Sequence, residues 1–186
     1  MTKWITFVLV LAWGGLALAQ SALTDFPLGV TSMTWTTRGT GSAPPQELTL
    51  TVEGKPGNLY RIELLVAAEG TAADLGTLGF LGSALFVQAS GAMIDLSALQ
   101  VLTRRRDTLK VGEQYALPGG TFHARAQTDI AGVACLVGEY RAVDRPNTVT
   151  EIGFALTDPV YFLPLMRVQD GGKVTFEMVL TAYRRP

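Results

Sequence analysis

The stretch KVTFEMVLTAYR, Lys173 to Arg184, decides the fold class. Val174, Phe176, Met178, Leu180 and Ala182 alternate there with Thr175, Glu177, Val179, Thr181 and Tyr183. Successive side chains of an extended chain point to opposite sides, so a period of two predicts a strand with the first set on a core and the second mostly in solvent. Asp170-Gly171-Gly172 just before it is turn chemistry, because glycine takes positive φ without a Cβ clash and Asp tolerates turn conformations. Residues 160–168 offer a partner strand, and Pro164 within them lacks a ladder donor, which predicts an edge position or a bulge. A C-terminal hairpin is the expectation.

The same pattern recurs upstream. Leu48, Leu50 and Val52 alternate with Glu47, Thr49, Thr51 and Glu53; Lys55-Pro56-Gly57-Asn58 forms a turn; Tyr60, Ile62, Leu64 and Val66 come next in register. These segments predict an antiparallel pair. Residues 108–117, 121–128 (with Phe122, Ala124 and Ala126 inward), 133–143 and 148–156 add further short strands bounded by turn residues. Strands at intervals of roughly 8 to 14 residues, with no long helical pattern between them, predict an all-β fold. The expected form is an antiparallel two-sheet sandwich, immunoglobulin-like or jelly-roll-like, with at most one or two short helices. The clearest helical signal is residues 95–103, where Leu96, Leu99 and Leu102 share a face. Residues 20–45 are expected to be an N-terminal arm or first strand, with Met33-Thr34-Trp35 as the strand signal, and residues 46–186 the sandwich domain.

Residues 1–19 have the form of a secretory signal peptide: Lys3, an apolar run over 5–11, and the small-x-small site Ala17-Leu18-Ala19 before Gln20. The expected location is therefore exported, in the periplasm, the outer envelope or the extracellular space of a bacterium. Loss of that segment removes Lys3 and no acidic residue, leaving 14 basic against 16 acidic side chains. A near-neutral chain has no basic field to neutralise phosphates, so nucleic acid is not an expected partner. Cys135 is the single cysteine, so no intramolecular disulfide supports the fold and the core must hold it alone.

Catalytic groups are few. His123 is the single histidine, which excludes the two or three imidazoles that zinc and copper centres recruit within one chain. A triad needs one histidine, and Asp129 is near in sequence, but no Ser stands in a nucleophile-elbow pattern. Cys135, within Ala134-Cys135-Leu136-Val137, has no cation beside it to favour a thiolate and is expected in the core. Glu139, Asp144, Glu151 and Asp158 supply carboxylates that would need to pair across strands to act as acid and base. Phosphate loops, dinucleotide fingerprints and calcium loops are absent from the sequence. No catalytic residue, cofactor or metal is expected.

Two stretches stand out as contact candidates. Arg104, Arg105 and Arg106 concentrate positive charge, and guanidinium groups hold anions or an acidic partner patch by paired hydrogen bonds. Residues 75–94 contain no charged residue up to Ile94 and are interrupted by Gly76, Gly79, Gly82 and Gly91; Leu78, Phe80 and Leu81 are the expected apolar interface. An uncharged run of that length must be core or be covered by a partner or by lipid. Three classes are open: a non-enzymatic structural or assembly component of the cell envelope, contacting another envelope protein or a second copy; a carbohydrate- or anion-binding module, with the arginine cluster, Trp35, Tyr140 and Tyr161 as contacts; and a hydrolase with an unrecognised site. The first is preferred, with contact to membrane or surface polysaccharide as a secondary expectation.

Overall fold

The computed structural model describes residues 26–39, 45–68, 102 and 108–186. Nine strands are present among them: β1 (Gly29–Gly39), β2 (Gln46–Lys55), β3 (Leu59–Ala68), β4 (Gln114–Leu117), β5 (Gly120–Ile130), β6 (Val133–Ala142), β7 (Thr148–Ala155), β8 (Leu165–Asp170) and β9 (Lys173–Arg184). They form one antiparallel sheet in the order β3-β2-β1-β9-β8-β7-β6-β5-β4. The expected all-β antiparallel class is borne out. In place of two hydrogen-bonded sheets there is one continuous ladder, because β1 pairs with β2 on one side and β9 on the other and so joins the N-terminal strands to the C-terminal ones. Met33-Thr34-Trp35, expected in an arm or first strand, thus lies in a central strand.

The C-terminal hairpin forms as expected, with Gly171 and Gly172 both at positive φ (54° and 82°) in the turn between β8 and β9. The strand before it is shorter than residues 160–168. It starts at Leu165, after Pro164, whose carbonyl accepts a hydrogen bond from the Leu180 amide at 2.8 Å. Residues 160–163 leave the ladder to pack on β1: the Trp35 Nε1–H donates to the Leu163 carbonyl at 3.0 Å, and the Phe162 ring meets Trp35 edge-on at 5.5 Å. Residues 108–117 likewise yield only four strand residues. A turn at Lys110 to Glu113 (3.3 Å) precedes β4, and the Tyr115 hydroxyl locks it by accepting from the Lys110 amide at 2.7 Å and donating to Glu113 at 2.8 Å.

Three β-bulges explain where strict alternation misplaces side chains. On β9, Thr175 and Thr181 are the extra residues, and each hydroxyl donates to a carbonyl of the neighbouring strand, Val168 (3.3 Å) and Thr34 (3.1 Å) respectively. Each extra residue reverses the facing of the residues beyond it. Phe176, Met178 and Leu180 therefore face inward, whereas Val174 and Ala182 are exposed and Tyr183 turns in. Arg125 is the third extra residue, on β5; beyond it Ala126 is exposed rather than inward.

Two apolar clusters cover the sheet. One surrounds Trp35, with Met33, Leu48, Leu50, Val52, Cys135, Leu165, Met178 and Leu180; the other surrounds Phe122, with Leu117, Leu136, Tyr140, Ile152 and Phe154. Phe154 meets Phe122 edge-on at 5.5 Å, a favoured aromatic geometry. Cys135 belongs to the first cluster and Leu136 to the second, so the start of β6 is covered on both faces. Gly138, opposite Ala124, is required beside the Phe122 ring, where a Cβ would collide with the ring and with the His123 carbonyl. Leu102, of the expected 95–103 helix, is buried in the second cluster.

Candidate functional site

The expected contacts at Arg104, Arg105 and Arg106, and at Leu78, Phe80 and Leu81 within residues 75–94, lie outside the described residues. Among the described residues, the surfaces that the sheet leaves unpaired are its two edge strands, β3 and β4, and its polar face.

At one end β3 pairs with β2 without interruption, from Gln46 opposite Ala68 to Lys55 opposite Leu59. Its other edge has no strand partner among the described residues. Tyr60, Ile62, Leu64 and Val66 lie on the face that β2 buries through Leu48, Leu50 and Val52, yet Ile62 and Leu64 remain 42% and 40% exposed. On the opposite face Leu59 and Leu65 are each 64% exposed and flank Arg61 and Glu63, which pair with one another. The strand thus presents apolar groups on both faces beside a row of backbone N–H and C=O groups, the arrangement to which another chain adds as a strand. At the other end β4 is only four residues long.

The polar face of the remaining sheet carries one cross-strand row. Pairing places Gln114, His123, Glu139, Glu151, Arg167, Glu177 and Arg38 opposite one another in turn, from β4 to β1. Arg167 bridges two strands, donating to Glu177 through Nε at 2.8 Å and to Glu151 at 2.6 Å. Hydrogen bonding to Glu177 raises the Arg167 pKa against the opposing effect of burial, so its charge is fixed. Glu139 accepts from Arg125 and from Arg141, each at 3.2 Å. Burial would push its carboxyl up, but these two guanidinium groups more than offset that and hold it below the ordinary carboxylate range. Two glutamates directly opposite, Glu139 and Glu151, are tolerated because separate arginines neutralise them.

His123 lies in this row beside an open depression lined by Gln114, Thr121, Arg125, Glu139 and Arg141. Asp129 is six residues further along the same strand, roughly 20 Å away at the extended rise, and its carboxylate caps the Gly132 amide at 2.8 Å. The two do not form a triad. Cys135 is buried, and desolvation, followed by the charges of Asp129 and Asp158, pushes its thiol up to about 12. It is core, as its neighbours imply. Asp144 lies beside Arg145 (4.0 Å), and Asp158 binds Arg185 at 2.9 Å. A general acid needs a raised carboxyl, and Glu139 is shifted the other way. Trp35 and Tyr140 are buried and offer no aromatic platform.

Alternation in the sequence places β3 but not its position at the sheet edge. The signal for the edge is in Leu64-Leu65, where the alternation lapses and both faces become apolar.

No family model matches the chain, and no curated protein does. Among solved structures it is similar to MucB in complex with MucA(peri), at 12% identity and a TM-score of 0.50, over 94% of this chain and 56% of that one. It is also similar to MucB alone, at 10% identity and a TM-score of 0.44, over 94% and 59% of the two chains. A third is the Pseudomonas aeruginosa MucA/MucB complex, at 9% identity and a TM-score of 0.41, over 91% and 55%. The chain spans little more than half the length of these chains, and at such identities the likeness is one of fold.

Proposed function

We propose that the protein is an exported, non-enzymatic component of a bacterial cell envelope that acts through protein–protein contacts, with the open edge of β3 as its contact surface. The observation that carries this reading is the ten-residue edge strand on which Leu59 and Leu65 are largely exposed and Ile62 and Leu64 partly so. Water at such an edge is readily displaced by a partner, which gains both ladder hydrogen bonds and apolar burial. The signal-like residues 1–19 support the envelope location. A protein of similar fold, MucB, has been crystallised with MucA(peri), so such a fold can serve a protein partner.

A photo-crosslinking residue at Leu65 tests it in living cells, with the same residue at Val143 as control. Val143 is more exposed (81%) but lies next to β6, away from β3. Protein adducts from position 65 and none from 143 are expected. Absence of an adduct from position 65 would remove β3 as the contact surface.

A second reading, an anion- or carbohydrate-binding module, is favoured by the depression in which the Arg125 and Arg141 guanidinium groups lie beside His123 and Thr121. Both arginines already serve Glu139, which leaves a ligand only their outward donors. This ranks it second.

A further inference from the structure

The pattern of apolar and charged residues along this edge is symmetric about Ile62: Leu59-Tyr60-Arg61-Ile62-Glu63-Leu64-Leu65, with the two charges opposite in sign. On the reading that β3 is the contact surface, we infer that its occupant is a second copy of this chain, paired β3 to β3 antiparallel about a two-fold axis through Ile62. In that register Leu59 faces Leu65 of the other copy, Tyr60 faces Leu64, Ile62 faces itself, and Arg61 faces Glu63. Opposite residues of an antiparallel pair share a face. The apolar face of each sheet therefore runs on into the other through Tyr60, Ile62 and Leu64, and the two Arg61–Glu63 pairs meet as a box of four alternating charges on the opposite face.

Charge selects this register over its neighbours. Sliding by two residues, the smallest step that keeps the faces matched, brings Arg61 opposite Arg61 in one direction and Glu63 opposite Glu63 in the other. Of the guards against pairing, the strand lacks three: it contains no proline and no glycine, and its ladder with β2 has no bulge. Its charges, Arg61 and Glu63, are matched in this register rather than opposed. The turn at Asn58 ends the ladder beyond Leu59, so seven residues of each copy pair.

Arg61 and Glu63 are 63% and 58% exposed, so reversing either leaves the fold intact, which circular dichroism verifies. The intact protein is expected to sediment as a dimer at about 100 µM, since a contact of this size lies at the weak end of the range. Arg61→Glu alone sets Glu opposite Glu twice, and Glu63→Arg alone sets Arg opposite Arg twice; each should weaken the dimer by about tenfold or more. An equimolar mixture of the two variants restores both attractions and should form a heterodimer as tight as the unaltered dimer. A monomeric unaltered protein, a single variant that still dimerises as tightly, or a mixture that stays monomeric would each overturn the inference. A crosslink from Leu65 to a different protein, with the unaltered chain monomeric, would sink the second copy and leave the contact surface standing; no crosslink at all would remove both.

Discussion

At one end of the sheet the edge strand β4 is four residues long and lies over Phe122; at the other, β3 is ten residues long, has no strand partner on its outer edge among the described residues, and leaves Ile62 and Leu64 42% and 40% exposed. Both ends descend from the same alternating pattern, so alternation does not distinguish them. Length and the packing behind the strand do. Tyr115 on β4 sits opposite Phe122, itself fully buried against Phe154 and Tyr140. Ile62 on β3 sits opposite Val52 and remains 42% exposed. A short, backed edge protects itself from pairing; a long, unbacked one invites it.

The largest expected effect comes from that contrast. Phe122→Ala should cost about 3–5 kcal/mol, since a buried ring leaves a cavity that its neighbours fill only in part. Ile62→Ala, measured below the concentration at which copies associate, should cost no more than about 1 kcal/mol, because much of the side chain is already in water. Urea denaturation of both variants measures the difference. Equal losses would mean that Ile62 on β3 is packed as firmly as Phe122, the ring on β5 that backs β4.

How far this contrast is legible in the sequence depends on which residues are asked. Leu48, Leu50 and Val52 face inward as alternation requires, and Gly171-Gly172 makes the expected turn, because both are local signals. Alternation misplaces Val174, Ala182 and Ala126 for one cause: an extra residue at Thr175, Thr181 or Arg125 depends on the partner strand, which the segment's own sequence does not reveal. The charged row is hidden for the same reason. Glu139, Glu151 and Glu177 are far apart in the chain and meet only through pairing. His123 belongs to that row, not to a triad; Arg125, two residues on along the same strand, is legible as its neighbour, whereas Arg141 joins them only through the pairing of β5 with β6.

The polar face also differs between the middle of the sheet and the β3 edge, and Arg167 on β8 measures by how much. It is one-third exposed and neutralises two carboxylates on flanking strands, whereas Arg61 on β3 has only Glu63 beside it and is nearly two-thirds exposed. Arg167→Met should cost about 1–2 kcal/mol by leaving Glu151 and Glu177 unpaired in a half-buried row. Arg61→Met should cost less than about 0.5 kcal/mol in the monomer, as exposed pairs do. The urea midpoints of the two variants check this, and a smaller loss at Arg167 than at Arg61 would contradict the row's role.

The smallest effect is in the pH dependence. Glu139 has its carboxyl lowered in the folded state despite burial, through Arg125 and Arg141. Its unfolded value is ordinary, about 4.3. As pH falls the unfolded chain therefore takes up this proton first, which lowers the stability of the fold; the contribution is full above the unfolded value and is gone once pH has passed the folded one. Replacing both Arg125 and Arg141 by Gln removes the cause of the depression. The doubly substituted protein should then be less stable than the original at pH 7, by about 1 kcal/mol or less, and the gap should close as pH drops from about 4.5 towards 3. Arg61→Gln on β3 serves as the control, because a solvated pair at the open edge should leave the acid limb of the curve unchanged. A gap that stayed constant from pH 7 to 3 would show that Arg125 and Arg141 support β5 and β6 by packing of their stems rather than by holding the Glu139 charge, and the contrast between the two ends would then rest on apolar packing alone.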